Sequence, residues 1–163
     1  MRPLRATIDL GALRHNLALA REKAGAAKVW AIVKADAYGH GLARIQPALG
    51  AADGLALLEL ESAVALRERG WTKPLLMLEG FFAHGEIAEF SRHRLTAVVH
   101  CEAQMELLEA ARIERPIEIY LKLNTGMNRL GIAPHAAERT LARLRRCPNV
   151  SGITLMKIGR AHV

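Results

Sequence analysis

The chain has 163 residues, 51% of them hydrophobic, enough apolar material for one core and about one domain. No run approaches the roughly 20 apolar residues that span a bilayer, and Met1-Arg2-Pro3-Leu4-Arg5 lacks the apolar stretch of a signal peptide, so a cytoplasmic protein without a membrane role is expected. The net charge of +7 does not indicate nucleic acid, because the arginines are spread over many predicted helices and aromatics for base stacking are few.

In chain order, short apolar runs alternate with amphipathic stretches. Arg5 to Leu10 reads as an initial strand. Asp9 can also cap a helix whose apolar face carries Leu10, Leu13, Leu17 and Ala20, the 3–4 spacing of a packed helix. Val29 to Val33 reads as a buried parallel strand, followed by a Gly-rich polar loop and a helix around Leu42 to Leu49. Gly54 to Leu58 is the next apolar run, and Ser62 to Arg69 a helix that Gly70 ends. Leu75 to Leu78 is a strand, His84 to Ser91 a short helix, Leu95 to Val99 a strand, and Glu102 to Arg112 a helix. Glu118 to Leu123 is a strand, Pro134 to about Arg146 a helix with proline in its first turn, and Val150 to Met156 the last run. Such units, with strands apolar throughout, indicate a parallel sheet covered by helices. Both doubly wound sheets and TIM barrels satisfy the pattern. No GxGxxG follows the first strand, which weakens the dinucleotide-binding option.

The stretch Val33-Lys34-Ala35-Asp36-Ala37-Tyr38-Gly39-His40-Gly41 is the most informative. It puts a lysine where an apolar strand ends, and an amine so placed is a candidate nucleophile toward a carbonyl, the chemistry that anchors pyridoxal phosphate (PLP). These residues resemble the PLP-lysine signature of alanine racemases, V-K-A-D/N-A-Y-G-H-G. A second block, Lys122-Leu123-Asn124-Thr125-Gly126-Met127-Asn128-Arg129-Leu130-Gly131, is similar to the K-x-D-T-G-M-x-R-L-G segment of the same family, with Asn124 where aspartate is common.

The resemblance implies a TIM (β/α)8-type barrel, present here as an N-terminal portion of about six of the eight βα units, with the family's C-terminal β domain absent. Residues 1–10 would be a strand segment and residues 11–156 a partial PLP-binding barrel. By the resemblance Lys34 is the catalytic and cofactor-binding lysine, Tyr38 contacts the cofactor phosphate, and Arg129 approaches both cofactor and substrate carboxylate. Lys122 matches a lysine that is carbamylated in some members. The implied reaction interconverts L- and D-alanine for peptidoglycan, in a homodimer whose partner supplies a tyrosine as the second base. On that reading the 163-residue chain alone is expected to be inactive.

The resemblance ends at Met156, where members continue with a T-H-F-like triplet. His162 is out of register with that histidine and takes no role. The codons ATC GGA AGA GCA CAC GTC, which open a common sequencing adapter, translate as I-G-R-A-H-V. Residues 157–163 are therefore expected to be a non-native tail. Other readings are a racemase of another amino acid, a non-catalytic PLP-binding barrel protein, and a truncated barrel that binds a partner through its open edges. No metal site is expected, since the histidines are scattered and Cys101 and Cys147 lack ligand spacing.

Overall fold

A computed structural model describes residues 4–158; the tail reading for residues 159–163, His162 included, lies outside the described residues. Six parallel strands form one sheet in the order β1-β2-β3-β4-β5-β6: Trp30–Ile32, Gly54–Leu57, Leu75–Met77, Thr96–Val99, Ile117–Lys122 and Val150–Met156. The order follows the chain without reversal. A doubly wound sheet reverses direction at its middle. Right-handed crossovers that always step the same way keep every helix on one side of the sheet and curl it into a barrel arc. The chain is therefore α/β and forms the N-terminal part of a barrel, as expected.

The helices follow from local chemistry. The Asp9 carboxylate accepts from the Gly11 and Ala12 N–H groups at 2.7 and 3.0 Å and starts α1, Leu10–Ala24. This corrects the expected strand over Arg5–Leu10. None of the six strands pairs with that segment, residues 4–9 carry no regular structure, and Leu10 already belongs to the helix. Between β1 and β2 lie a five-residue turn, α2 (Lys34–Tyr38), and α3 (Leu42–Ile45) with a 3-10 turn over Gln46–Ala48; Pro47 falls within that 3-10 turn, where the expected single helix tightens. α4 spans Leu60–Glu68, α5 His84–Arg92, α6 Glu102–Ala110 and α7 Ala137–Arg146. Gly70 sits just beyond α4 at φ +86°, the left-handed geometry that a terminating glycine adopts.

Alternation along each strand divides the apolar residues in two. Leu55, Leu57, Leu75, Met77, Ala97, Val99, Ile119 and Leu121 pack with helix residues such as Leu66, Phe90 and Leu108 in the main core. Ala56, Leu76 and Val98 form a smaller inner cluster with Trp30, Leu78, Tyr120 and Met156. Within it Trp30 meets Tyr120 edge-on, ring centroids 6.0 Å apart. A Cβ on Gly54 would lie 2.5 Å from the Trp30 ring, so a glycine opposite Trp30 is what lets the indole lie flat in the barrel floor.

At the opposite end of the sheet from the lysines, one side chain closes several loops. The Arg67 guanidinium donates to the carbonyls of His93 (2.8 Å), Trp71 (2.7 Å), Lys73 (2.7 Å) and Arg94 (2.8 Å). Removing it leaves these carbonyls without that donor, so Arg67→Ala is expected to cost about 2–4 kcal/mol. Arg67→Lys should recover little, since an ammonium cannot reproduce the planar fork. Urea denaturation midpoints read both.

Candidate active site

In a parallel sheet all strand C-termini share one rim, and the predicted site residues fall there. After β1, Val33 is buried and its N–H donates to the Ala56 carbonyl at 2.8 Å. The chain then does something the sequence did not announce. Ala35, Asp36, Ala37 and Tyr38 take φ values of +52°, +49°, +56° and +55°, a left-handed helical turn in place of the expected loop. Each L-residue held so costs roughly 1–2 kcal/mol.

Hydrogen bonds offset that cost. Ala37 N–H donates to Val33 O (2.9 Å), Gly39 N–H to Ala35 O (3.0 Å) and Gly41 N–H to Asp36 O (3.0 Å). Asp36 Oδ1 accepts from Leu42 N–H at 2.7 Å, starting α3, and Glu59 Oε1 accepts from Ala35 N–H at 3.1 Å. Two alanines suit the turn because a β-branched side chain would add to the strain, and Ala37 is buried in the main core. Gly39 and Gly41, at φ +80° and +86°, release the chain from the turn. The result sets the Lys34 amine 6.0 Å from the centre of the Tyr38 ring, with Tyr38 59% exposed on the rim.

The second predicted pair lies at the end of β5. Lys122 is the last residue of that strand and follows Tyr120 on the inner face. Its ammonium form is disfavoured, first by burial and then by the charge of Arg129, while Glu79 acts in the opposite sense. Arg129 is carried on a loop that Asn124 organises. Asn124 Oδ1 accepts from Gly126 and Asn128 N–H groups at 3.2 and 3.1 Å, and its Nδ2 donates to Asn128 Oδ1 at 3.0 Å. An aspartate, common here in the resembled family, could accept both bonds but not donate the third. The loop is closed by Asn124 N–H to Ile132 O and Ile132 N–H to Lys122 O, both 2.8 Å. Gly131 sits at φ +125°, where a Cβ would lie 2.7 Å from the Asn124 backbone nitrogen.

The structure thus makes two local pairs, Lys34 with Tyr38 and Lys122 with Arg129, on one rim at strands β1 and β5. Tyr120 is no rim group: it packs edge-on against Trp30 in the inner cluster, and burial raises the pKa of its phenol. Sequence reasoning passed over His100, which was counted among scattered histidines. Continuing the β4–β5 register, Val98↔Tyr120 and Val99↔Leu121, puts His100 beside Lys122 on the rim. The readable signal was its place two residues beyond inward-facing Val98.

Because burial and Arg129 both oppose its charge, Lys122→Met is expected to raise the urea midpoint at neutral pH. Added salt should shrink the gain by screening the repulsion. The Lys122 pKa is lower in the folded chain than in the unfolded one. Over that window the unfolded chain holds more protons, so parent stability rises with pH and the gap to Lys122→Met closes at alkaline pH.

Comparison with known proteins gives a consistent result. The profile of the family described as alanine racemase, N-terminal domain, matches residues 8–160. An alanine racemase of Burkholderia mallei is 51% identical over 155 residues, 95% of this chain and 44% of that protein. A catabolic alanine racemase of Salmonella typhimurium is 48% identical over the same shares. The crystal structure of a biosynthetic alanine racemase from Pseudomonas aeruginosa superposes with a TM-score of 0.93 at 41% identity, covering 99% of this chain and 45% of that one. The chain spans less than half the length of the curated relatives it matches.

Proposed function

Because the chain belongs to the alanine racemase N-terminal domain family, we propose that the polypeptide carrying it interconverts L- and D-alanine with PLP held on Lys34. The observation that carries this reading is the left-handed turn, which sets an amine and a phenol side by side on the strand rim. The residues present fit the cofactor: an amine for its carbonyl carbon, a phenol hydroxyl for its phosphate, and the Arg129 guanidinium for its phenolic oxygen. When bound, PLP supplies an electron sink for the carbanion at the substrate Cα.

The chain's own residues do the rest. The Lys34 amine takes and returns the Cα proton on one face. The Tyr38 hydroxyl donates to a phosphate oxygen. Arg129 offers a planar fork to the substrate carboxylate, the bidentate match that fixes orientation. Lys122, whose ammonium is disfavoured, is the amine suited to carbamylation, and its carbamate would hold Arg129. Trp30, Leu76 and Val98 beneath the rim keep water from below.

Racemisation needs a base on each face. Tyr38 lies on the same side as Lys34, and Tyr120 is packed edge-on against Trp30 in the inner cluster. We therefore read this chain by itself as inactive, the second base coming from a partner in a homodimer. The biological role follows as a proposal: a cytoplasmic supply of D-alanine for peptidoglycan. Among the described residues no helix is long and apolar enough to cross a membrane.

The test has two arms. Borohydride reduction of the chain incubated with PLP should trap the cofactor on the peptide containing Lys34, read by mass. Label on any other lysine, or none, overturns the cofactor reading. Incubation with PLP and L-alanine should give no D-alanine. Turnover abolished by Lys34→Ala would overturn the inactivity.

A further inference from the structure

The left-handed turn after β1 begins with a donor that its own hydrogen-bond ladder does not serve. Ala37, Gly39 and Gly41 donate back to Val33, Ala35 and Asp36, whereas the Ala35 N–H stands ahead of that ladder, like the orphan first donors of any helix. Val33, which precedes the turn, offers no side-chain cap. The partner comes from the end of the neighbouring strand: Glu59 Oε1, 24 residues away, accepts from Ala35 N–H at 3.1 Å.

Glu59 follows β2 and occupies the N-cap of α4, yet it makes no capping bond to that helix. Its length explains both facts. N-caps favour Asp, Asn, Ser and Thr, whose short side chains reach the N2 or N3 donors of their own helix. One methylene more carries the carboxylate across to the adjacent turn, where it sits at the N–H end that favours negative charge. The backbone already ties the same two strand ends once, through Val33 N–H to Ala56 O at 2.8 Å. Glu59 ties them a second time, and Lys34 is the residue between the two ties.

We propose that Glu59 is a positioning residue for Lys34: together with the Val33–Ala56 bond it brackets the lysine on both sides and fixes where its amine is presented. The inference deepens the reading of Lys34 as the cofactor lysine and rests on it. Glu59 acts on the backbone, through Ala35 N–H, while the amine stays turned toward the Tyr38 ring at 6.0 Å. Without that tie Ala35 loses a partner that holds it at φ +52°, a conformation alanine leaves when released. The amine and the phenol then lose their common frame.

The experiment compares Glu59→Asp, Glu59→Gln and Glu59→Ala in the 163-residue chain, first without cofactor. Two NMR readouts follow the turn: hydrogen exchange of the Ala35 amide, and the nuclear Overhauser contact between the Lys34 side chain and the Tyr38 ring. Borohydride trapping on Lys34 over a range of PLP concentrations then reads the consequence. Glu59→Gln keeps an oxygen acceptor at the same reach and should stay within about twofold of the parent throughout. Glu59→Asp falls short of Ala35. It should speed Ala35 exchange, weaken the Lys34–Tyr38 contact and raise the PLP concentration for half-trapping about 5–10-fold. The shorter carboxylate should also cap α4 and raise the urea midpoint. Presentation of the lysine and stability of the fold then move in opposite directions, which a merely structural glutamate would not produce. Glu59→Ala should show the same losses without the gain. If Glu59→Asp leaves Ala35 exchange and the Lys34–Tyr38 contact at parental values, the proposal is overturned. It is overturned as well if both change while half-trapping does not move. A parent chain that traps no PLP on Lys34 sinks the cofactor reading instead, and the two cofactor-free readouts still decide whether Glu59 positions the lysine.

Discussion

Lys34→Ala is expected to abolish covalent retention of PLP while leaving the stability of the chain unchanged within about 0.5 kcal/mol. The two halves of that expectation come from different facts. Among the described residues the Lys34 amine makes no hydrogen bond or ion pair and only faces the Tyr38 ring at 6.0 Å, so the fold loses almost nothing with it. On the proposed reading the cofactor loses its covalent anchor. Borohydride trapping followed by peptide mass reads the first, and a urea melt the second. Tyr38→Phe should act differently, keeping the trapped adduct but weakening PLP affinity about 10–100-fold through the lost hydroxyl. If Lys34→Ala also unfolded the chain, the view of this lysine as a group displayed by the fold rather than used by it would be wrong.

A large loss of stability is expected of Gly131→Ala. The new methyl would meet the backbone at 2.7 Å from Asn124 N and 2.8 Å from Leu123 C. Neither is the end of a side chain that can swing away. The φ of +125° is also one that alanine adopts only under strain. A cost of about 3 kcal/mol or more is expected, read as a lowered urea midpoint. Because the same loop carries Arg129, the Lys122 titration should move in parallel. Gly126→Ala makes a useful contrast: nothing lies within 4 Å of its would-be Cβ, so only the backbone strain of its φ of +124° remains.

Much of the architecture is legible in the sequence. Six apolar runs gave six strands, because a buried parallel strand has no polar face to interrupt it. Asp9 was readable as a cap since its carboxylate has local N–H groups to serve. The error at Arg5–Leu10 has the same root: an apolar, extended-looking run becomes a strand only where another strand's edge meets it, and edges are not written locally. At the candidate site, Lys34, Tyr38, Lys122 and Arg129 were found as motif letters, but their pairing was not. The left-handed turn could not be foreseen from Ala35, Asp36 and Ala37, whose ordinary preference is the opposite hand; distant partners such as Glu59 help to hold it. The role of Glu59 was hidden thoroughly, since between an apolar run and the next helix it reads as one more polar connector.

The strand order that follows the chain has a bearing on how the protein is made. Each βα unit lays its strand against the one just before it, so most sheet contacts join neighbours in sequence and little loop closure entropy stands in the way. Units released one after another from a ribosome can dock in the order in which they emerge. The first strand is the exception. Among the described strands none pairs with the outer edge of β1, where Ile32 is 43% exposed. The segment bearing the lysine is thus synthesised first and left open longest, which marks it as the point where a growing chain is most in need of a chaperone.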